Sequence, residues 1–334
     1  MLLFETGLLI AGSIGLLLLG EKTIFTELSF LSETITFSIS NTALLLTLGI
    51  FFALSVLIYR NSLIIGNTIS RFQATLLNLS LTFGFVALMS GQFMIRYIAL
   101  DIVGLLVALT VLNSFSEKTS FKDFAIVFQI LRLGDLSLLV SILLINQYAG
   151  TLDISLMINA ASDLRMEPRM WVFMGFLFAI LIKLAIWPFG AWLQRAKNSV
   201  PLASFWISGF LMPTLGYYLL YRIIPIINSS IIFQSITFLS GLLLIFILLI
   251  ATHLRLTAYK RFYHIGSIFS CFSLLAVAFS SHDQIGFYLF GLILYRLILF
   301  CQEEVKSPIL EKLVLIFPLL INGMYLWANA GNLP

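Results

Sequence analysis

The chain has 334 residues, of which 60% are hydrophobic and only 10% are charged. So little charge excludes a water-soluble domain of this size and predicts an all-α, polytopic membrane protein that forms a single helix bundle in the lipid bilayer. The net charge of +4 includes no basic run or aromatic-interleaved patch, so we expect no nucleic-acid partner.

Cysteine and histidine are too few and too scattered to build a redox or metal centre. The chain has two cysteines, both in apolar segments, and three histidines without the spacing of metal ligands. We therefore expect no cofactor, no metal ion, no catalytic residue and no directly bound nucleotide.

Eleven apolar runs are long enough to cross the hydrocarbon core, which takes about 20 helical residues. They are 2–19, 41–59, 75–95, 97–114, 123–146, 169–188, 203–224, 229–251, 264–281, 284–302 and 308–328. The first run begins with acidic Glu5 rather than a basic region, which favours a membrane helix over a cleaved signal. Segment 20–40 is too polar to span, and its Thr-Ile-Thr-Phe-Ser-Ile alternation predicts a small extracellular hairpin.

The basic residues of the predicted loops indicate an orientation. On the side of the N-terminus lie Arg60, Arg71, Lys118, Lys122, Arg195, Lys197, Arg255, Lys260, Arg261, Lys306 and Lys312, and on the other side lie Lys22, Arg96, Arg165, Arg169 and Arg222. The positive-inside rule then places the N-terminus on the matrix or cytoplasmic side.

Several ionisable side chains remain inside the predicted spans, where a charge costs about 2.5–3.5 kcal/mol on insertion scales and points to function. They are Asp101, Arg132, Asp135, Lys183 and Arg296. Arg132 and Asp135 are three residues apart and share a helix face, so we predict an intrahelical ion pair. Two roles are open for this pair, since it would brace the bundle or take part in transport.

Lys183 lies in an unbroken apolar helix, five residues before Pro188. Because proline lacks an amide hydrogen and frees a carbonyl one turn back, we predict a broken helix near Pro188. A titratable amine beside a broken helix is typical of a transport element, and the alternative is a lysine that snorkels to a helix end. Asp101 has no partner in its own helix, so we expect it to pair with Lys183 and to control release of the lysine's proton.

Segments that follow one another along residues 70–301 resemble the antiporter-like proton-pumping subunits of respiratory complex I, above all the largest, Mrp-related one. Residues 183–193 resemble the K-S-A-Q-x-P-F-x-x-W-L segment of that family, residues 131–135 its N-R-x-G-D, and residues 101–105 lie where it has W-E-x-V-G-L. Weaker matches follow at 150–152 (F-G-T-L), 201–222 (P-V-S-A-L-I-H and A-G-V-Y-L-L-x-R), 258–266 (A-Y-S-T-I-S-Q-L-G) and 295–300 (F-F-K-A-L-L-F).

This resemblance implies inverted repeats of five helices, each with one broken helix. It divides the chain into N-terminal helices and a loop (1–70), a first repeat (71–225) and an incomplete second repeat (226–334). It also implies a proton path through Asp101, Lys183, Ser208, His264 and Arg296, with Lys183 as the carrier.

This sequence departs from the family pattern at several of those positions. The family's glutamate is the shorter Asp101, its relay histidine is Ser208, and its second-half lysine is Arg296, which cannot release a proton. The acidic residue of the family's W-L-P-D-A-M becomes Arg195.

The resemblance implies a proton-translocating subunit of a complex I-type NADH:quinone oxidoreductase, whose NADH and quinone sites lie in other subunits. Its partners would be other membrane subunits of a respiratory complex, in the mitochondrial inner membrane or, alternatively, a bacterial plasma membrane. Two alternatives are an Mrp-like or inorganic-carbon-uptake membrane subunit, and a structural remnant that does not conduct. The family's two histidines upstream of F-F-K fall near Tyr288 and Leu292 here. The changes at Ser208, Leu292 and Arg296 favour the remnant.

Overall fold

The computed structural model describes residues 22–30, 33–59, 71–112, 120–186, 188–196, 205–253, 267 and 270–278. Within them a two-stranded antiparallel hairpin precedes a succession of helices. The elements are β1 (Lys22–Phe30), β2 (Glu33–Ile39), α1 (Asn41–Tyr59), α2 (Arg71–Met89), α3 (Phe93–Leu112), α4 (Ser120–Ala149), α5 (Ile154–Asp163), α6 (Met166–Lys183), α7 (Ala191–Ala196), a π-helical segment (Phe205–Leu211), α8 (Met212–Arg222), α9 (Ile224–Asn228) and α10 (Ile231–His253). The predicted helical bundle and the predicted hairpin are therefore confirmed.

Four helices of the described part are long and apolar enough to cross a membrane: Arg71–Met89, Phe93–Leu112, Phe121–Ala149 and Ile231–Ile250. Each corresponds to a predicted apolar run, and α1 coincides with the run 41–59. The runs 2–19, 284–302 and 308–328 lie outside the described residues, and of 264–281 only 267 and 270–278 are described.

The division between the third and fourth predicted spans was wrong. The helices separate at Ser90–Gln92, so Arg96 lies inside α3 rather than in a loop. The sequence remains apolar through this turn, so hydropathy alone does not reveal it. The turn is fixed instead by backbone hydrogen bonds to distant segments. The amide of Gly91 donates to the Thr36 carbonyl at 2.8 Å, and its carbonyl accepts from the amide of Ile154 at 2.9 Å.

The turn at Ser90–Gln92 joins the hairpin and the α4–α5 connection to one end of the bundle. A methyl group at Gly91 would lie 2.3 Å from Oγ1 of Thr36, which only glycine avoids. Asp153, which begins α5, accepts from the amides of Ser155 at 2.9 Å and Leu156 at 3.1 Å, as an N-cap residue does.

The predicted broken helix is confirmed, although its cause differs from the predicted one. α6 already ends at Lys183, where Ala185 takes a left-handed backbone conformation with φ 55°. The amide of Ala185 donates to the Ile182 carbonyl at 3.0 Å and that of Ile186 to the Leu181 carbonyl at 3.2 Å, which is the hydrogen-bond pattern of a Schellman motif. Pro188 lies in the turn that follows, so α6 does not depend on it to end.

Glycines bring three helices close together around the end of α6. A methyl group on Gly134 of α4 would lie 3.1 Å from Ile182, and one on Gly216 of α8 would lie 3.1 Å from the carbonyl carbon of Lys183. Small residues at such contacts let helix backbones approach each other closely, which is how helices associate in membranes. α4 therefore lies between α3 on one side and α6 on the other, with the C-terminal end of α6 against α8.

Candidate functional site

A buried ion pair joins α4 and α6 at the point where α6 ends. Nζ of Lys183 lies 2.5 Å from Oδ1 of Asp135, and the two side chains are 1% and 2% exposed. The position of Lys183 in the last turn of α6 favours its positive charge, because the carbonyl end of a helix carries a partial negative charge. The lysine is thus held inside the bundle, which rules out the snorkelling alternative.

A second ion pair joins α3 and α4. Arg132 of α4 pairs with Asp101 of α3, and their side chains are 31% and 22% exposed. The guanidinium carbon of Arg132 also lies 4.9 Å from the ring centroid of Phe128. The Arg132–Asp101 pair is therefore more accessible than the Lys183–Asp135 pair.

Both predicted pairings were wrong, although each of the four residues takes part in an ion pair. Arg132 and Asp135 do not pair with each other, and Asp101 is not the partner of Lys183. The reason is the order of the helices around α4. Asp135 follows Gly134, whose face packs directly on α6, whereas α3 with Asp101 lies on the other side of α4.

The second carboxylate oxygen of Asp135 faces α3. Oδ2 is buried without a hydrogen-bond partner, and a methyl group on Gly104 would lie 3.4 Å from it. The lysine occupies Oδ1, so Oδ2 is the oxygen that can accept a further hydrogen bond or a proton.

The segment after the break folds back over the end of α6. Nε1 of Trp192, in α7, donates to the carbonyl of Ile182 at 2.9 Å. Oγ of Ser267 donates to the carbonyl of Ala185 at 3.2 Å. The Ile182 carbonyl thus accepts a second hydrogen bond beside that from the Ala185 amide, and side-chain donors cover the break, as a broken helix at membrane depth requires.

The remaining predicted path residues are only partly described. Ser208 is buried at 1% exposure in the π-helical segment, and its relay role stays a prediction. His264 and Arg296 lie outside the described residues. In the described ranges no three His, Cys, Asp or Glu side chains are grouped to hold a metal ion.

Two charged contacts were not predicted. Nη1 of Arg195, in α7, lies 2.8 Å from Oδ1 of Asp123 in the first turn of α4, so the basic residue at the family's acidic position has a carboxylate partner. Arg96 is 2% exposed in α3, with its guanidinium carbon 4.9 Å from the ring centroid of Tyr218. The only sequence signal for its burial was its place between two apolar runs.

Comparisons with known proteins identify the family and the fold of the chain. A family model described as "NADH:quinone oxidoreductase/Mrp antiporter, TM" matches residues 90–307, which include both ion pairs. NADH-ubiquinone oxidoreductase chain 4 of Myxine glutinosa is 31% identical over 140 residues, covering 40% of this chain and 30% of that protein. NADH-ubiquinone oxidoreductase chain 5 of Paramecium tetraurelia is 25% identical over 226 residues, covering 64% of this chain and 38% of that protein. The chain thus aligns with well under half the length of each relative.

Two solved structures share the fold. One is the Mrp complex from Dietzia sp. DQ12-45-1b, with a TM-score of 0.77 and 17% identity over 90% of this chain and 57% of that chain. The other is the membrane-bound sulfane sulfur reductase, an archaeal respiratory membrane complex, with a TM-score of 0.76 and 14% identity over 90% of this chain and 64% of that chain. At these identities the likeness shows a common fold. Because the family model covers more than half of the sequence, the chain belongs to the NADH:quinone oxidoreductase/Mrp antiporter transmembrane family.

Proposed function

We propose that this chain is a proton-translocating membrane subunit of a complex I-type NADH:quinone oxidoreductase, in which Lys183 and Asp135 form the proton-carrying pair. The observation that carries the proposal is a titratable amine, 1% exposed, held by a carboxylate at 2.5 Å beside a broken helix. Electron transfer takes place in other subunits, and this chain couples to it through helix movement.

The energetics of the pair make it suitable as a proton carrier. At an effective dielectric constant of about 20, two unit charges about 4 Å apart attract by about 4 kcal/mol. Separating Asp135 from Lys183 removes this attraction and leaves a buried positive charge without a partner, which is unfavourable. A displacement of α4 relative to α6 is then sufficient to release a proton, and the reverse displacement takes one up.

Arg132 gives α4 a second charge through which such a displacement can act. It lies one turn from Asp135 on the same helix and pairs with Asp101 of α3. Its guanidinium stays protonated at any working pH. If Asp101 withdraws, Arg132 becomes an alternative partner for Asp135, which would then leave Lys183. In this proposal Asp101 acts on Lys183 through α4, not by contact with it.

The setting is proposed from the family. Relatives named as NADH-ubiquinone oxidoreductase chains support other membrane subunits as partners and an energy-coupling membrane as the location. The mitochondrial inner membrane, with the N-terminus on the matrix side, fits the loop charges. The division into a first repeat (71–225) and residues of a second repeat (226–334) remains part of this proposal.

The test is NADH-driven proton pumping by the assembled complex in sealed vesicles. Lys183→Ala and Lys183→Arg should both abolish the contribution of this subunit, because arginine keeps the charge and cannot release the proton. Lys122→Ala is the matched control, since Lys122 is exposed at the start of α4. Unchanged pumping in Lys183→Ala would select the non-conducting scaffold, and sodium-dependent transport by an assembly without NADH oxidation would select the Mrp-like alternative.

A further inference from the structure

A permanently charged side chain, Arg96, is buried in α3 at the hairpin end of the bundle. It is 2% exposed, and its Nη2 donates to the Ser90 carbonyl at 2.6 Å. Its guanidinium carbon lies over the ring of Tyr218, 4.9 Å from the centroid. Nε and Nη1 are buried without a hydrogen-bond partner. Ser90 and Tyr218 therefore hold the guanidinium in place, but no carboxylate among the described residues pairs with its charge.

The surroundings add positive charge to that of Arg96. Arg222 lies one turn beyond Tyr218 on α8, close enough for its charge to repel that of Arg96. The salt bridges among the described residues join Arg132, Lys183 and Arg195 to carboxylates, and Arg96 takes part in none of them. Burying a charge without an anion costs several kcal/mol, so a side chain needed only for packing would not have to be charged.

The contact between α3 and α8 connects Arg96 with the ion pair of Lys183. At one end of this contact, a methyl group on Gly104 would lie 3.8 Å from Met212 and 3.4 Å from Oδ2 of Asp135. At the other end Arg96 lies over Tyr218. Gly104 follows Arg96 by eight positions on α3, so the two residues are about 12 Å apart along the helix axis at 1.5 Å per residue. Arg96 therefore lies between the ion pair and the hairpin end of the bundle.

We propose that Arg96 is an electrostatic barrier that stops protons from leaking between the Lys183–Asp135 pair and the hairpin end of the bundle. This inference rests on the proposed function. A guanidinium cannot pass a proton on, because it does not release its own. Its fixed charge also repels a hydronium ion in a low-dielectric interior, as positive groups do in pores that exclude protons. Arg96 therefore blocks proton passage along the α3–α8 contact between the Lys183–Asp135 pair and the hairpin end when the complex is not pumping.

The test measures passive proton entry into vesicles that contain the assembled complex, without NADH, under a potassium diffusion potential. Arg96→Met keeps an unbranched apolar stem and removes the charge, so proton entry should rise roughly 10- to 30-fold, from the Coulomb repulsion of a unit charge at close range. Arg96→Lys places a titratable amine at a buried site without a carboxylate partner, where its neutral form is favoured, so it should also leak. Tyr218→Phe keeps the ring under the guanidinium and should leave proton entry unchanged.

Further outcomes separate the barrier from a packing role. Arg96→Gln removes the charge and retains a donor for the Ser90 carbonyl, so it should leak like Arg96→Met; if Arg96→Gln is as tight as the unmodified protein, the side chain acts through packing and the proposal is wrong. Equal entry in Arg96→Met and the unmodified protein overturns it as well. If Arg96→Met does not assemble, Arg96→Gln takes its place in each comparison.

The double variant Arg96→Met/Lys183→Ala tests the route of the leak. Proton entry should return to that of the unmodified protein, because the leak requires the lysine, and a leak that persists without Lys183 overturns the proposal. The experiments distinguish failure of the proton-carrying role of Lys183 from failure of the barrier role of Arg96. Lys183→Ala that leaves pumping unchanged refutes the proposed function and the barrier with it, whereas a tight Arg96→Met in a complex that needs Lys183 for pumping refutes only the barrier.

Discussion

Replacing Asp135 with asparagine tests the pairing on which the proposed mechanism depends. The substitution removes the anion that lies 2.5 Å from Nζ of Lys183 and keeps the size of the side chain. Loss of one partner of a buried pair costs about 3–5 kcal/mol, because the other charge is left uncompensated. The lysine, 1% exposed, avoids this cost by giving up its proton. We therefore expect Asp135→Asn to hold Lys183 neutral and to remove proton pumping by this subunit.

The assay compares Asp135→Asn with Asp101→Asn in the assembled complex. Pumping per NADH oxidised is measured in sealed vesicles, and NADH oxidation in uncoupled vesicles serves as the control for intact electron transfer. Asp101→Asn removes no atom in contact with Lys183 and acts on the lysine only through Arg132, in a pair that is 31% and 22% exposed, so it should reduce pumping less. The charge-free double variant Asp135→Asn/Lys183→Met should be more stable to heat than Asp135→Asn alone, since methionine is buried without first having to give up a proton.

Which of the two substitutions reduces pumping more decides which carboxylate works with Lys183. If Asp101→Asn abolishes pumping and Asp135→Asn does not, then Asp101 is the working partner of Lys183, as the sequence alone suggested, and the pairing described for the folded chain is not the one used. Equal thermal stability of Asp135→Asn and the double variant would also contradict the reasoning, because it would mean that the pair carries no electrostatic coupling.

Three further predictions concern the framework around the pair. Ala185→Gly should stabilise the complex against heat by about 1 kcal/mol, because glycine adopts the left-handed conformation at φ 55° without strain, and no gain would contradict the account of the break. Gly91→Ala should lower the unfolding temperature, since its methyl group would lie 2.3 Å from Oγ1 of Thr36; the smaller Thr36→Ser should be tolerated as a control. Asp123→Arg and Arg195→Asp should each be less stable than the exchanged double variant, with a coupling of about 0.2–1 kcal/mol because both side chains are partly exposed; additive effects would show that the 2.8 Å contact contributes nothing.

Local patterns were enough to predict most elements of the fold. The polar alternation after residue 20 predicted the hairpin, and the apolar runs predicted the helices of the described ranges, because both signals lie in neighbouring residues. Where the chain turns was harder to predict. The turn at Ser90–Gln92 interrupts a nearly continuous apolar stretch, and its glycine is required by contact with Thr36, which is distant in sequence. The end of α6 depends on a left-handed alanine, for which the sequence carries no signal.

The sequence by itself determined that the chain is a membrane protein and which ionisable side chains lie within its apolar spans. Both follow from the cost of moving a group from water into hydrocarbon, which depends on residue type and on its neighbours along the chain. Only the tertiary structure decided that Asp135 holds Lys183 while Asp101 holds Arg132. An ion pair requires atoms within about 4 Å. That distance depends on which helix lies on each side of α4, and here the packing of Gly134 on α6 places Asp135 next to the lysine.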